Sequence, residues 1–197
     1  MLLRRLLPLS LFARYERWWA RRHGLVDLAP HSFVRLELRQ HRGDVVRLQD
    51  GTVVRPGDLV GEIHVDSLKL IAYHETTQDP RRMGLLFGRG MSEGLRLVAR
   101  YLRSHPEFPV VAVRAVTLYW KGSERLGFEV HRIRNPLTRF GVNFWLKFLL
   151  WYSHPEGFRR SLGRERLREP REAWMSARTL FARYDTSPEE VRERHGP

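Results

Sequence analysis

Glu62, His64 and Asp66 stand two residues apart in the stretch Glu62-Ile63-His64-Val65-Asp66. An extended strand alternates its side chains, so these three share one face while Ile63 and Val65 share the other. Carboxylates beside an imidazole can act together as general acid and base. The same donor types can ligate zinc or manganese. A second stretch, Leu126–His131, repeats the Glu-x-His spacing at Glu129 and His131. If the two strands are neighbours, all five groups line one face. The alternative is the solvated side of a half-buried sheet, or acids paired with helix arginines such as Arg96 and Arg100. Residue types and spacing leave these readings open. Glu62, His64 and Asp66 stand as candidate catalytic residues, and Glu129, His131, Arg96 and Arg100 as candidate substrate contacts. No metal is assigned, and no cofactor is required by the sequence.

These groups need a scaffold, and the pattern of the chain reads as α+β. Ser32–Gln40 alternates through Val34, Leu36 and Leu38 as a strand does. Gln49-Asp50-Gly51 between two β-branched runs predicts a hairpin, because Asp-Gly accepts positive φ. Arg55-Pro56-Gly57-Asp58 predicts a tight turn leading into the strand Leu59–Asp66. A short helical turn is expected over 67–74 and a loop over 76–80. From Met83 to Leu102 the residues Phe87, Met91, Leu95, Val98 and Leu102 recur at helical spacing. Gly88, Gly90 and Gly94 in that helix lack the spacing of a dinucleotide fingerprint and read as close packing. Val110–Trp120 and Arg125–Ile133 read as strands paired in a hairpin. Asn135-Pro136 opens a helix to about Tyr152, apolar nearly all round and so expected in the core, with partial membrane insertion as the alternative. A last helix is expected near Arg171–Tyr184. The expected fold is a mostly antiparallel sheet packed by helices, with amphipathic helices at both ends. The domain division is an N-terminal helix over 1–24, one α+β domain over 25–185 and a charged tail over 186–197.

Composition narrows the function. The chain has 197 residues, a formal net charge of +13 and no cysteine, so disulfides and thiolate metal sites are excluded. Of the 35 basic residues only Lys69, Lys121 and Lys147 are lysine. Positive charge of this size favours anionic partners. It concentrates at residues 1–23, where six arginines face one acid, and at residues 159–171, where six face two. The first residues mimic a signal peptide, but Pro8 and Ser10 interrupt the apolar run and no small-residue cleavage site follows. The run is also far short of a membrane span. After Pro8, Leu11, Phe12, Tyr15, Trp18 and Trp19 recur at helical spacing among Arg14, Arg17, Arg21 and Arg22. Such a helix lies in a membrane interface or docks its aromatic stripe on the core. In the first case Arg14, Arg17, Trp18, Trp19, Arg21 and Arg22 are the membrane contacts. The expected location is the cytoplasmic face of the membrane, or the cytoplasm. A nucleic-acid-binding protein is a further alternative, although no recognised binding motif accompanies the basic segments.

Several blocks, in order, carry a resemblance. Asp50-Gly51-Thr52-Val53-Val54-Arg55-Pro56-Gly57-Asp58, then Gly61–Asp66, Gly127-Phe128-Glu129-Val130, His154-Pro155-Glu156-Gly157 and Trp174-Met175-Ser176 leading to Arg183-Tyr184 look like the YkoP-like family. The blocks cover about Arg14 to Tyr184. Its members resemble small stand-alone bacterial proteins, or a domain following a polysaccharide deacetylase domain. The resemblance implies an accessory protein of the cell envelope beside glycan-modifying enzymes, with Glu62 and His64 as the polar positions carried over. Its expected partners are anionic lipid headgroups or an acidic glycan, and a polysaccharide deacetylase. An enzyme acting on a glycan or an anionic lipid-linked substrate is the alternative. The chain does not itself carry the deacetylase metal motifs: it has no Asp-Asp dipeptide, and its nine histidines show no His-x3-His spacing. Gly-x-Ser-x-Gly is absent too.

Overall fold

A computed structural model describes residues 9–75, 80–118, 120–153 and 169–185. The elements are α1 (Leu9–Arg22), β1 (Val26–Asp27), β2 (Val34–Gln40), β3 (Val46–Arg47), β4 (Val53–Val54), β5 (Leu59–Val65), α2 (Ser67–Glu75) and α3 (Pro80–Ser104). They continue with β6 (Ala112–Thr117), β7 (Glu129–Arg132), α4 (Pro136–Ser153), β8 (Arg171–Ser176) and α5 (Ala177–Tyr184). The fold is α+β. A six-stranded sheet runs in the order β1-β2-β5-β6-β8-β7, and β3-β4 form a separate hairpin. Every pairing in the large sheet is antiparallel except β5 with β6. A parallel pair needs a crossover, and α2 with α3 provides it.

Alternation gives the sheet two unlike faces. Val34, Leu36, Ile63, Val113, Ala173 and Met175 point to one side, where they pack with Met91, Leu95, Val98 and Leu102 of α3 and Leu180 of α5. Each fully buried aliphatic side chain contributes roughly 1.5–3 kcal/mol there. The glycine expectation holds at Gly94, where a Cβ would fall 2.6 Å from the Val34 Cβ, so α3 can settle on β2 only without a side chain there. Gly90 makes the same accommodation for Phe33.

The other face is charged over β2, β5 and β6. At one end it is apolar, where Leu48 and Val54 of the hairpin cover Val60, Ala112 and Trp174. The hairpin is held by its own turn. Gly51 takes φ +86, and the Thr52 amide donates to Asp50 Oδ1 (2.9 Å). Asp50 also accepts a short hydrogen bond from the Ser176 hydroxyl, whose oxygen in turn caps α5 through the Thr179 amide (2.9 Å).

Three expectations are corrected. β6 and β7 are not a hairpin, because β8 lies between them and pairs with both. The expected helix from Arg171 is a strand for its first six residues, with Ser176 as the switch into α5. Trp174 and Met175 therefore face opposite sides of the sheet instead of sharing a helix stripe. The third is α4. It starts where expected, with Asn135 Oδ1 accepting from the Leu137 and Thr138 amides. Its described side chains do not make it a core helix, since Leu137, Phe140 (74% exposed) and Phe144 lie open on one stripe. The charged tail and most of the basic segment 159–171 lie outside the described residues.

Candidate functional site

β5 presents Glu62 and His64 on the charged face, as the two-residue step requires. Their neighbours come from strands the Glu-x-His pattern did not point to. On β2, Glu37 sits opposite Glu62, Arg35 opposite His64 and Arg39 opposite Val60. On β6, Arg114 sits opposite Glu62. The signal was present in β2, where Arg35, Glu37 and Arg39 alternate with the apolar residues that marked the strand.

The contacts are specific. His64 Nε2 donates to Glu37 Oε2 at 2.8 Å, since an ionised carboxylate can only accept. His23 Nδ1, from the turn after α1, is 3.4 Å from Glu37 Oε1. Glu62 Oε2 accepts from Arg39 Nη1 (2.9 Å) and from Arg114 through Nε (3.2 Å) and Nη2 (3.0 Å). Arg114 reaches on to Glu172 at 3.7 Å. The Glu37 and Glu62 side chains are each 10% exposed and that of His64 is 20% exposed. Burial alone would raise the pKa of Glu37. Hydrogen bonds from His64 and His23, and the charges of His64 and Arg39, outweigh it and hold Glu37 below the usual carboxylate value.

The remaining predicted residues fall elsewhere. Asp66 is buried, but its oxygens are committed. Oδ1 caps α2 by accepting from the Leu68 (3.0 Å) and Lys69 (3.1 Å) amides, and Oδ2 pairs with Arg35 at 2.6 Å. That is the work of a helix N-cap. Glu129 and His131 share the charged face but are not neighbours of β5, because β6 and β8 intervene. Glu129 accepts from the Gln49 amide (2.8 Å) and lies 3.6 Å from His131, so it braces the hairpin. Arg96 and Arg100 ride on α3, on the far side of the sheet from Glu62 and His64. The acids there pair with strand arginines instead.

α1 lies over the charged face and divides its side chains by helical spacing. Phe12 (2% exposed), Glu16, Trp19 and His23 turn inward. Trp19 meets the His64 ring edge-on (centroids 5.1 Å) and stacks on His23 (4.3 Å). Leu11, Tyr15 and Trp18 (56% exposed) turn outward, as do Arg14, Arg17, Arg21 and Arg22. The helix therefore docks on the domain and still keeps an open aromatic stripe. Trp19, Arg39, Glu62, His64, Arg114 and Trp145 are among the residues bordering an open cavity of about 2410 Å³, which also extends to Phe87, Met91, Arg96 and Arg100 of α3.

Glu16 is the one inward acid of α1. Its Oε1 accepts from the Ser67 amide at 3.1 Å, while Oε2 is buried with no hydrogen-bond partner among the described residues. Burial, with Asp66 nearby adding to it, raises its pKa above 4.5. A raised acid binds its proton more tightly when folded, so its contribution is complete below the unfolded pKa. That contribution is lost as pH rises through the folded value. Glu16→Gln keeps the acceptor for Ser67 and removes the ionisation. The variant is expected to melt higher than the parent at pH 7 and to match it near pH 4. Melting curves across that range check it, and an equal difference at every pH would refute it.

The fold and this face define an α+β domain with a buried, charge-paired sheet surface. A family model described as the YkoP domain matches residues 5–184. The chain belongs to the YkoP family. It is 30% identical over 119 residues to a Bacillus subtilis (strain 168) relative named uncharacterized protein YkoP. The match covers 60% of this chain and 65% of that relative, just under two thirds of the relative's length. No solved structure matches the chain. Among the described residues no helix is long and apolar enough to cross a membrane.

Proposed function

We propose that this YkoP-family protein is a peripheral membrane protein of the bacterial envelope that docks on anionic lipid through α1 and α4. The observation that carries it is one continuous surface. Leu11, Tyr15 and Trp18 of α1 lie open, and Tyr15 meets Trp145 of α4 at 5.7 Å, edge to face. Phe140 and Phe144 extend the surface along α4. Four exposed arginines of α1 flank it. Apolar and aromatic groups beside arginines suit the boundary between headgroups and acyl chains. Their charge selects anionic headgroups over neutral ones. In this reading the protein is an accessory to enzymes that modify glycans at that surface, a polysaccharide deacetylase among them.

The test is co-sedimentation of the full chain with phosphatidylglycerol-containing vesicles and with pure phosphatidylcholine vesicles. Binding to the anionic set alone, weakened by salt, is the expected result. Absence of binding to either set, by folded protein, removes the reading. A second reading, an enzyme acting on a glycan or anionic lipid-linked substrate, is favoured by one observation. Glu62 and His64 border the cavity that α1 overlies.

A further inference from the structure

We infer that Glu37, Glu62 and His64 form a binding site for a divalent cation of the zinc class. One ligand atom from each of the three lies within 4.8 Å of the others. Two carboxylate oxygens and an imidazole nitrogen are the donors that borderline divalent ions take. Bonds of about 2.0–2.1 Å set tetrahedral ligand atoms about 3.3 Å apart, so the observed spread brackets what one ion needs. His64 Nε2 and Glu37 Oε2, now 2.8 Å apart, would open by about half an ångström around an ion. The donors stand on paired strands, which fixes them better than a loop would.

The arginines are the objection, and their placement answers it. The hydrogen bonds of both guanidinium groups on Glu62 go to Oε2, which leaves Oε1. That oxygen is the one offered to an ion, while Arg39 and Arg114 orient the carboxylate from behind, as outer partners of metal ligands do. Arg114 also shares its charge with Glu172, and Arg35 is spent on Asp27 (2.7 Å) and Asp66 (2.6 Å). The nearest cations are therefore already paired. His23, in the turn after α1, reaches Glu37 at 3.4 Å and so stands as an outer partner of that ligand.

The site stands whether or not the surface of α1 binds lipid, so it is tested without vesicles. The full chain, treated with a chelator and dialysed, is titrated with zinc chloride and separately with manganese chloride by calorimetry. Expected is one saturable zinc site with a dissociation constant below about 10 µM. A zinc-dependent rise in melting temperature should accompany it. His64→Ala should abolish binding, and so should Glu37→Gln, which keeps the shape of the pair. His23→Ala, which removes the contact to Glu37, should weaken binding about tenfold. His131→Ala should leave it unchanged, which separates this site from surface histidines. Failure of the folded wild type to bind either ion overturns the inference. So does an affinity that survives both His64→Ala and Glu37→Gln.

Discussion

Glu62→Ala will lower the stability of the domain by about 3–5 kcal/mol, read as a fall in the urea midpoint at constant slope. The reason is what the substitution leaves behind. Glu62 is 10% exposed and holds Arg39 and Arg114 through one oxygen. Removing it takes the shared carboxylate from two guanidinium groups, and Arg114 at 16% exposure keeps only the longer contact to Glu172 at 3.7 Å. Arg39, more exposed at 38%, suffers less, which places the effect toward the lower end. Exchange of all three residues for apolar ones of similar volume should recover most of the loss, because a buried ion pair gains little over good packing. A loss of under about 1 kcal/mol for Glu62→Ala would refute the argument. This bears directly on any functional assay. Activity lost in Glu62→Ala has a structural explanation before it has a chemical one, so His64 and Glu37 are the better positions for testing chemistry.

The second large effect concerns the membrane surface. Replacing Arg14, Arg17, Arg21 and Arg22 together by glutamine will weaken partition onto anionic vesicles by up to about a thousandfold. Each arginine near an anionic surface is worth about 1 kcal/mol, and about 1.4 kcal/mol makes a factor of ten. All four are exposed, so folding stability should change little. Changing Leu11, Tyr15 and Trp18 to serine tests the apolar half of the same surface. That variant should lose binding even at low salt, where charge alone would still attract the protein. Equal binding by the arginine variant and its parent would sink the proposal. These surface changes are cleaner than deletion of residues 1–23, which would also remove Phe12, Glu16, Trp19 and His23 from the domain.

Much of the scaffold was legible in the sequence. Asp50-Gly51 gave the hairpin, and the stripe from Phe87 to Leu102 gave α3, because turn chemistry and periodicity are local properties. What was not legible depends on pairing between distant segments. Arg171–Ser176 precedes a true helix without a break in composition, and only its place between β6 and β7 makes it a strand. Tertiary pairing overrode the local pattern there. Glu62 and His64 share a face as the row requires, but the strand weighed as their neighbour was β7. The true neighbour, β2, carries Glu37 at a position that looked like the ordinary polar side of an alternating strand. Asp66 could have been separated earlier, since Asp followed by Ser-Leu-Lys is also a helix start. α4 was misplaced because an apolar helix reads as buried whenever the sequence does not say what surface it faces.

The position of β8 sets the order in which the molecule can be assembled. β1, β2, β5 and β6 come from the first 117 residues and can pair as the chain emerges. Among the described residues β7 follows with nothing to pair against, because its one sheet neighbour there is made about forty residues later. Until Arg171–Ser176 arrives, β6 is a raw edge and Trp174 has not yet filled the gap beneath the hairpin. An open hydrophobic edge of that kind is where chains join one another wrongly. Closing the sheet is then a long-range event that waits for β8, and non-local pairing of that kind forms slowly.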